Sequence, residues 1–296
     1  MRAIFLNNIV PRDYYTILKP GILYGNVITI IAGFILASNG RVLDWRLLLV
    51  TVLGLSFVMA GGCVFNNYHD RDIDALMERT KSRVLVRKAI SIRSAIMYGA
   101  VLSLLGFTLL AFYTNKVTVM VALFGFFVYA VLYTLWLKRT SVHSTFVGAL
   151  SGAVPPVIGY VAVRGEIDLV ATVLFLILVT WQIPHAFAIA LYRLSDYTAA
   201  RIPVLPVARG IKKTKIQMFL YIVFFIIATL SLSVFGRLSY MYFYTMMILG
   251  ILWLMFSCKG FFIKEIDERR WARKMFFLSL IILMAWCLLL IGGGVS

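Results

Sequence analysis

A chain of 296 residues that is 62% hydrophobic and only 14% charged, with a mean hydropathy of +0.93, has the composition of an integral membrane protein, and this excludes a soluble globular enzyme. The formal net charge of +17 excludes little until its distribution is known. Cys63, Cys258 and Cys287 form no CxxC pair, which argues against a zinc site or a disulfide framework and makes them packing residues.

Nine apolar runs predict an all-α membrane bundle in one domain spanning residues 1–296. Each is near the roughly 20 residues that carry a helix across about 30 Å of hydrocarbon. They are 20–38, 47–66, 94–114, 117–137, 145–163, 168–192, 216–236, 239–257 and 275–293. The first starts late, opens on Pro20 and has no small-residue cleavage site, so it reads as a helix rather than a signal peptide. With nine spans, 24 of the 29 Lys and Arg residues fall on the side that holds the N-terminus, and Arg41, Arg46, Lys116, Arg164 and Arg237 on the other. That is the positive-inside pattern, with the N-terminus cytoplasmic and the C-terminus outside. The charge is thereby explained by topology and anionic lipid, and nucleic acid is not expected as a partner.

At the end of the second run, "NNYHDRDID" breaks the apolar pattern on the cytoplasmic side. If the helix continues to residue 74, Asn66, Asn67, Asp70 and Asp74 fall within an arc of about 100°, while Asp72 points elsewhere. Two carboxylates a turn apart above two amides repel each other unless a cation compensates them, and oxygen donors favour a hard divalent ion, Mg2+ first. Arg79 and Arg83, one helical turn apart if helical, offer forked donors for phosphate oxygens. The bland reading is a solvated loop whose charges pair among themselves. His69 and His143 read as solvated loop residues, and Lys19 as an interfacial anchor or a further phosphate contact.

Gly148 and Gly152, with Pro155 and Pro156, read as close or kinked packing. The sixth run leads into a second polar site, "WQIPHAFAIALYRLSDYTAARIPVLP". On an unbroken helix His185, Tyr192 and Asp196 lie within about 40°, with His185 about 16 Å deeper than Asp196. An ionisable group at that depth is a functional candidate. Its structural alternative is a histidine bonded to a neighbouring carbonyl at the Pro184 kink. No Walker-type, HExxH or GxSxG motif carries a different chemistry.

Together, "NNYHDRDID", "ERTKSRVL", "WQIPHAFAIA" and "DYTAARIPVLP" resemble the UbiA-type intramembrane prenyltransferases, and within them the branch that farnesylates haem. The resemblance runs from "LKPGILYGN" to "RRWARK", nearly the whole chain. Two departures from the wider family pattern stand out: Asn67 where an Asp is common, and Ala200 in place of the second carboxylate of a DxxxD motif, leaving Asp196 alone there.

The resemblance implies transfer of the farnesyl group of farnesyl diphosphate to a vinyl group of haem b, with addition of water. It implies Asn66, Asp70, Asp74 and Asp196 as metal ligands, and Lys19, Asn66, Asn67, Arg79, Arg83 and Arg193 as diphosphate contacts. Asp70, Asp74, Asp196 and His185 are the expected catalytic residues. His185, Trp181 and Tyr192 are the expected haem contacts, with His185 open to a ligand, base or structural role. The faces of Tyr129, Tyr133, Trp181 and Phe187 are candidates to shield an allylic cation. A haem A synthase or terminal oxidase assembly is the expected recipient of product, and a bacterial inner membrane the simplest location. The rivals are a prenyltransferase for an aromatic or quinone precursor and, from another class, a secondary transporter. A transporter would place its carboxylates nearer the midplane than Asp70, Asp74 and Asp196.

Overall fold

The computed structural model describes residues 11–39 and 42–292. Arg2, Arg41 and the last residue of the ninth predicted run lie outside them. A short helix, α1 (Pro11–Thr16), precedes α2 (Pro20–Ser38). Lys19 between them has a left-handed backbone, φ 57°, and the fixed φ of Pro20 starts α2 immediately after it. There follow α3 (Trp45–Leu76), α4 (Ile92–Tyr113), α5 (Lys116–Thr140), α6 (Ser144–Arg164) and α7 (Leu169–Tyr192). After two short helices, α8 (Leu194–Ala199) and α9 (Leu205–Arg209), come α10 (Ile211–Phe235), α11 (Tyr240–Lys259) and α12 (Glu268–Gly292). Among the described residues nine helices are long and apolar enough to cross a membrane, matching the nine predicted runs in order. The chain is an integral, multi-pass membrane protein.

Helix starts follow local chemistry. Asp44 accepts from the Leu47 amide at 2.9 Å, Ser91 from Ser94 at 3.1 Å, Asn115 from Thr118 at 2.9 Å and Asp168 from Ala171 at 2.9 Å. Each satisfies an amide that the first turn leaves unpaired.

Two helices outrun the apolar pattern that predicted them. At 32 residues α3 is about 48 Å long, well beyond the hydrocarbon, and its last turns carry the Asn and Asp residues out as an unbroken helix. Likewise α12 begins seven residues before the predicted run, which puts Arg269 and Arg273 on a helix instead of in a loop.

Packing depends on small residues where backbones meet. A Cβ on Gly61 of α3 would lie 2.6 Å from the Gly99 carbonyl oxygen of α4. One on Gly152 would lie 2.0 Å from Gln182 Oε1 of α7, where α6 breaks at Ala153 ahead of Pro155 and Pro156. The largest buried cluster joins α2, α6, α7, α10, α11 and α12, with Trp253, Trp286 and Tyr242 fully enclosed. Leu104, Phe112, Met120 and Met241 stay exposed, as lipid-facing side chains should.

Candidate functional site

The continued α3 helix buries one polar face and exposes the other. Asn66, Asn67, Asp70 and Asp74 are all buried, whereas the Asp72 side chain is 62% exposed and meets Arg139 Nη2 at 2.6 Å. Partners for the buried face come from other elements. Lys138 of α5 donates to Asp70 Oδ2, with Arg139 Nη2 at 3.9 Å from Oδ1. Arg83 Nη1 meets Asp74 Oδ2 at 2.5 Å. Lys19 donates to the Asn66 side-chain oxygen, and Asn66 Nδ2 donates to Thr134 Oγ1 at 3.0 Å. Asn67 is turned to the frame instead, donating to the carbonyls of Ile17 at 2.8 Å and Cys63 at 2.9 Å.

Asp196 joins this group from far along the chain. Its Oδ1 accepts from the Glu78 amide at 3.2 Å, and two residues on, Thr80 Oγ1 donates to the Asp74 carbonyl at 3.0 Å. The Asp196 carboxylate and the Asp74 backbone are thus held against the same stretch of turns. Asp74 Oδ1 and Asp196 Oδ2 are buried and unpartnered, which leaves two carboxylate oxygens without a ligand in an enclosed polar site.

That donor set fits a hard cation, but no preformed cage of three or more carboxylate, His or Cys ligands exists among the described residues. The combination suits Mg2+, which takes one or two carboxylates and completes its octahedron with water and substrate phosphate. Beside the cluster a cavity of about 540 Å³ shares Lys19, Asn67 and Arg83 with it, and Arg12, Asp13 and Arg87 are among its other lining residues. Burial and the nearby Arg83 charge lower the Lys19 ammonium to a pKa of about 8.

Several expectations require correction. Residues 77–88 form a succession of turns, so Arg79 and Arg83 are not a helical turn apart. Arg83 folds back onto Asp74 while Arg79 stays exposed. His69 lies on α3, its Nδ1 3.4 Å from Asp70 Oδ1, and is not a loop residue. The helix carrying His185 ends at Tyr192, and Arg193 (φ −113°, ψ 28°) turns the chain before α8. His185, Tyr192 and Asp196 therefore share no continuous face, and the 16 Å depth deduced from an unbroken helix does not apply.

His185 instead faces α12. Its Nδ1 is 2.7 Å from Ser279 Oγ, and its ring stacks on Trp181 at 4.6 Å and meets Phe276 at 5.0 Å. Trp181 Nε1 donates to the Ser279 carbonyl at 2.8 Å. Phe187 is buried in the core of the same helices, Arg193 lies over the Tyr192 ring at 4.4 Å, and Tyr129 and Tyr133 of α5 stack at 6.0 Å.

Lys138, Arg139, Thr134 and Ser279 escape a sequence reading. The two cations look like ordinary positive-inside residues at the end of a span. Only the π-helical turns over Val128–Leu137, which let the Lys138 amide reach the Tyr133 carbonyl, bring Lys138 to Asp70.

The chain matches the model of the UbiA prenyltransferase family over residues 26–281. It is 48% identical over 274 residues to protoheme IX farnesyltransferase 2 of Pseudomonas putida (strain W619), covering 93% of this chain and 92% of that one. It is 47% identical to protoheme IX farnesyltransferase of Yersinia pseudotuberculosis serotype O:1b (strain IP 31758), over 91% of this chain and 90% of the relative. A solved structure of digeranylgeranylglyceryl phosphate synthase superposes with a TM-score of 0.78 at 21% identity, over 96% of this chain and 98% of that one. A UbiA homologue from Archaeoglobus fulgidus bound to GPP and Mg2+ superposes with a TM-score of 0.64 at 15% identity, over 95% and 99%. At those identities the structures speak for the fold alone. The family match takes in the buried carboxylate face of α3, Asp196 and every membrane helix at least in part, and with it the chain belongs to the UbiA prenyltransferase family.

Proposed function

We propose that the protein transfers the farnesyl group of farnesyl diphosphate to a vinyl group of haem b, yielding haem O and diphosphate. The observation that carries the site is the pair of buried carboxylates, Asp70 and Asp74, each faced by a cation from a different element, with unpartnered oxygens on Asp74 and Asp196. The relatives named protoheme IX farnesyltransferase, at nearly half identity over nine-tenths of the chain, support the substrates.

In the reaction the farnesyl C1–O bond breaks and diphosphate leaves with the bonding pair. The vinyl carbon then bonds to C1, water adds to the resulting cation beside the macrocycle, and one proton is released. Asn66, Asp70, Asp74 and Asp196 would hold Mg2+, which would supply Lewis-acid charge for the departing diphosphate. Lys138 and Arg83 compensate Asp70 and Asp74, Lys19 holds the Asn66 side-chain oxygen, and all three turn to phosphate oxygens when substrate enters, as Asn66 and Arg79 do from the rim. Asn67 fixes α3 against the α1 end, and so positions the diphosphate site more than it touches it. The Tyr129 and Tyr133 faces shield the allylic cation from early water. His185, oriented by Ser279, and Trp181 contact haem on the α7 and α12 side.

Residues 1–296 act as one domain in a bacterial inner membrane, with the carboxylates cytoplasmic and the C-terminus outside, and product passes to a haem A synthase or oxidase assembly. The test is to incubate detergent-purified protein with haem b, farnesyl diphosphate and Mg2+, with an EDTA control, and analyse extracted haems by mass spectrometry. A Mg2+-dependent haem O mass is expected. Unchanged haem from a preparation that binds farnesyl diphosphate would overturn the acceptor and turn attention to phenolic substrates.

A further inference from the structure

The reaction above uses none of the basic residues at the start of α12, yet two of them gather with Arg193 around a single side chain. The guanidinium carbons of Arg193, Arg269 and Arg273 lie 4.4, 5.9 and 6.0 Å from the centre of the Tyr192 ring. One phenol face does not offset the mutual repulsion of three cations, so the arrangement calls for an anion. Two ion pairs at this end of α12, Lys215 with Glu268 at 2.6 Å and Arg270 with Asp267 at 3.8 Å, leave all three out among the described side chains. Arg193 Nε is buried and has no hydrogen-bond partner.

The surroundings favour one class of anion. Arg273 also lies over Phe277 at 5.7 Å, Phe277 meets Phe276 at 5.1 Å, and Phe276 meets the His185 ring, which stacks on Trp181. A strip of aromatic contacts therefore leads from the arginines along the α7–α12 interface to Trp181. His185 and Tyr192 are seven residues apart on α7, about 10 Å of rise. A flat macrocycle with acidic groups along one edge matches both the strip and its charged end, whereas a lipid phosphate would engage the charged end alone.

We propose that Arg193, Arg269 and Arg273 anchor the two propionate carboxylates of the tetrapyrrole acceptor, and so set which edge of the ring faces the start of α12. Guanidinium forks suit carboxylates, and two propionates divide naturally among three of them. The proposal rests on haem being the acceptor. It assigns Arg193 to the acceptor rather than to diphosphate.

The test is spectroscopic titration of the detergent-purified protein with haem b and with its dimethyl ester, without prenyl donor. Wild type, Arg269→Ala/Arg273→Ala and the control Arg270→Ala, whose side chain is 86% exposed and pairs with Asp267, are compared. Esterification is expected to weaken binding to wild type about tenfold. The double variant should bind the diacid about as weakly, lose nothing further with the ester and keep the KM for farnesyl diphosphate within about twofold. Arg270→Ala should behave as wild type.

Equal binding of diacid and diester by wild type overturns the anchor, and needs no variant to fold. A KM increase confined to farnesyl diphosphate also overturns it, assigning the cluster to diphosphate. So does unchanged haem binding by the double variant with weaker binding of a short-chain anionic phospholipid in detergent. Wild type that binds no haem in either form overturns the acceptor reading itself, and the anchor with it.

Discussion

At the end of α3, Asp70 and Asp74 are each met by a cation delivered from elsewhere in the chain, while between α7 and α12 His185 has one hydroxyl, Ser279 Oγ, and two aromatic neighbours. Both regions keep a titratable group inside an apolar bundle. Ionised carboxylates need full charge compensation, which side chains on flexible stems provide and can withdraw when a metal and diphosphate arrive. A neutral imidazole needs only a hydrogen bond and close packing, which leaves it fixed. The carboxylate mouth is thus built to exchange partners, and the α7–α12 contact to hold a shape.

The largest effect separating the two regions should come from Asp70→Asn and Asp74→Asn. Each is expected to lower haem O formation by about a thousandfold or more, as loss of a metal ligand does, and EDTA should do the same to the unaltered protein. An unchanged melting temperature distinguishes a chemical loss from unfolding, and near-normal turnover in Asp70→Asn would sink the metal site. At the α7–α12 contact, His185→Ala should cost on the order of a hundredfold. If haem binding stays intact while product is lost, the histidine serves chemistry instead of haem contact.

A smaller effect sharpens the idea of exchangeable cations. With Lys19 at a pKa of about 8, its positive charge is lost as pH rises through that value, so affinity for farnesyl diphosphate should fall across the same window. In Lys19→Arg, whose guanidinium stays protonated, that limb should disappear. Stability moves the other way. The folded pKa lies below the unfolded value of about 10.4, so burying this ammonium destabilises the fold most below pH 8, and the cost is relieved between about pH 8 and 10. The smallest effect belongs to Asp72→Asn. Its exposed pair with Arg139 contributes little, and activity should stay within about twofold of wild type. Equal losses at 70, 72 and 74 would refute the distinction between the buried and exposed faces of α3.

The nine spans and the buried face of α3 were readable from sequence because both rest on one-dimensional periodicity. A run of apolar residues sets a span, and 100° per residue places Asn66, Asp70 and Asp74 together whatever surrounds them. Where reading failed, periodicity was carried through a break. A helical spacing pairs Arg79 with Arg83 where the helix gives way to turns, and aligns His185 with Asp196 across Arg193, where the backbone changes direction.

Composition, hydropathy and local spacing alone determined an all-α membrane protein with nine spans, one strongly basic face and a carboxylate pair at the end of the second span. Only the tertiary structure decided which charges meet. Lys138 reaches Asp70 from 68 residues away, Glu78 and Asp196 meet across 118, and the arginines around Tyr192 come from the turn after α7 and from α12. The physical reason is range. Helix formation and membrane insertion answer to neighbours within a few turns, whereas compensation of a buried charge takes any opposite charge that packing brings within a few ångströms, however distant along the chain.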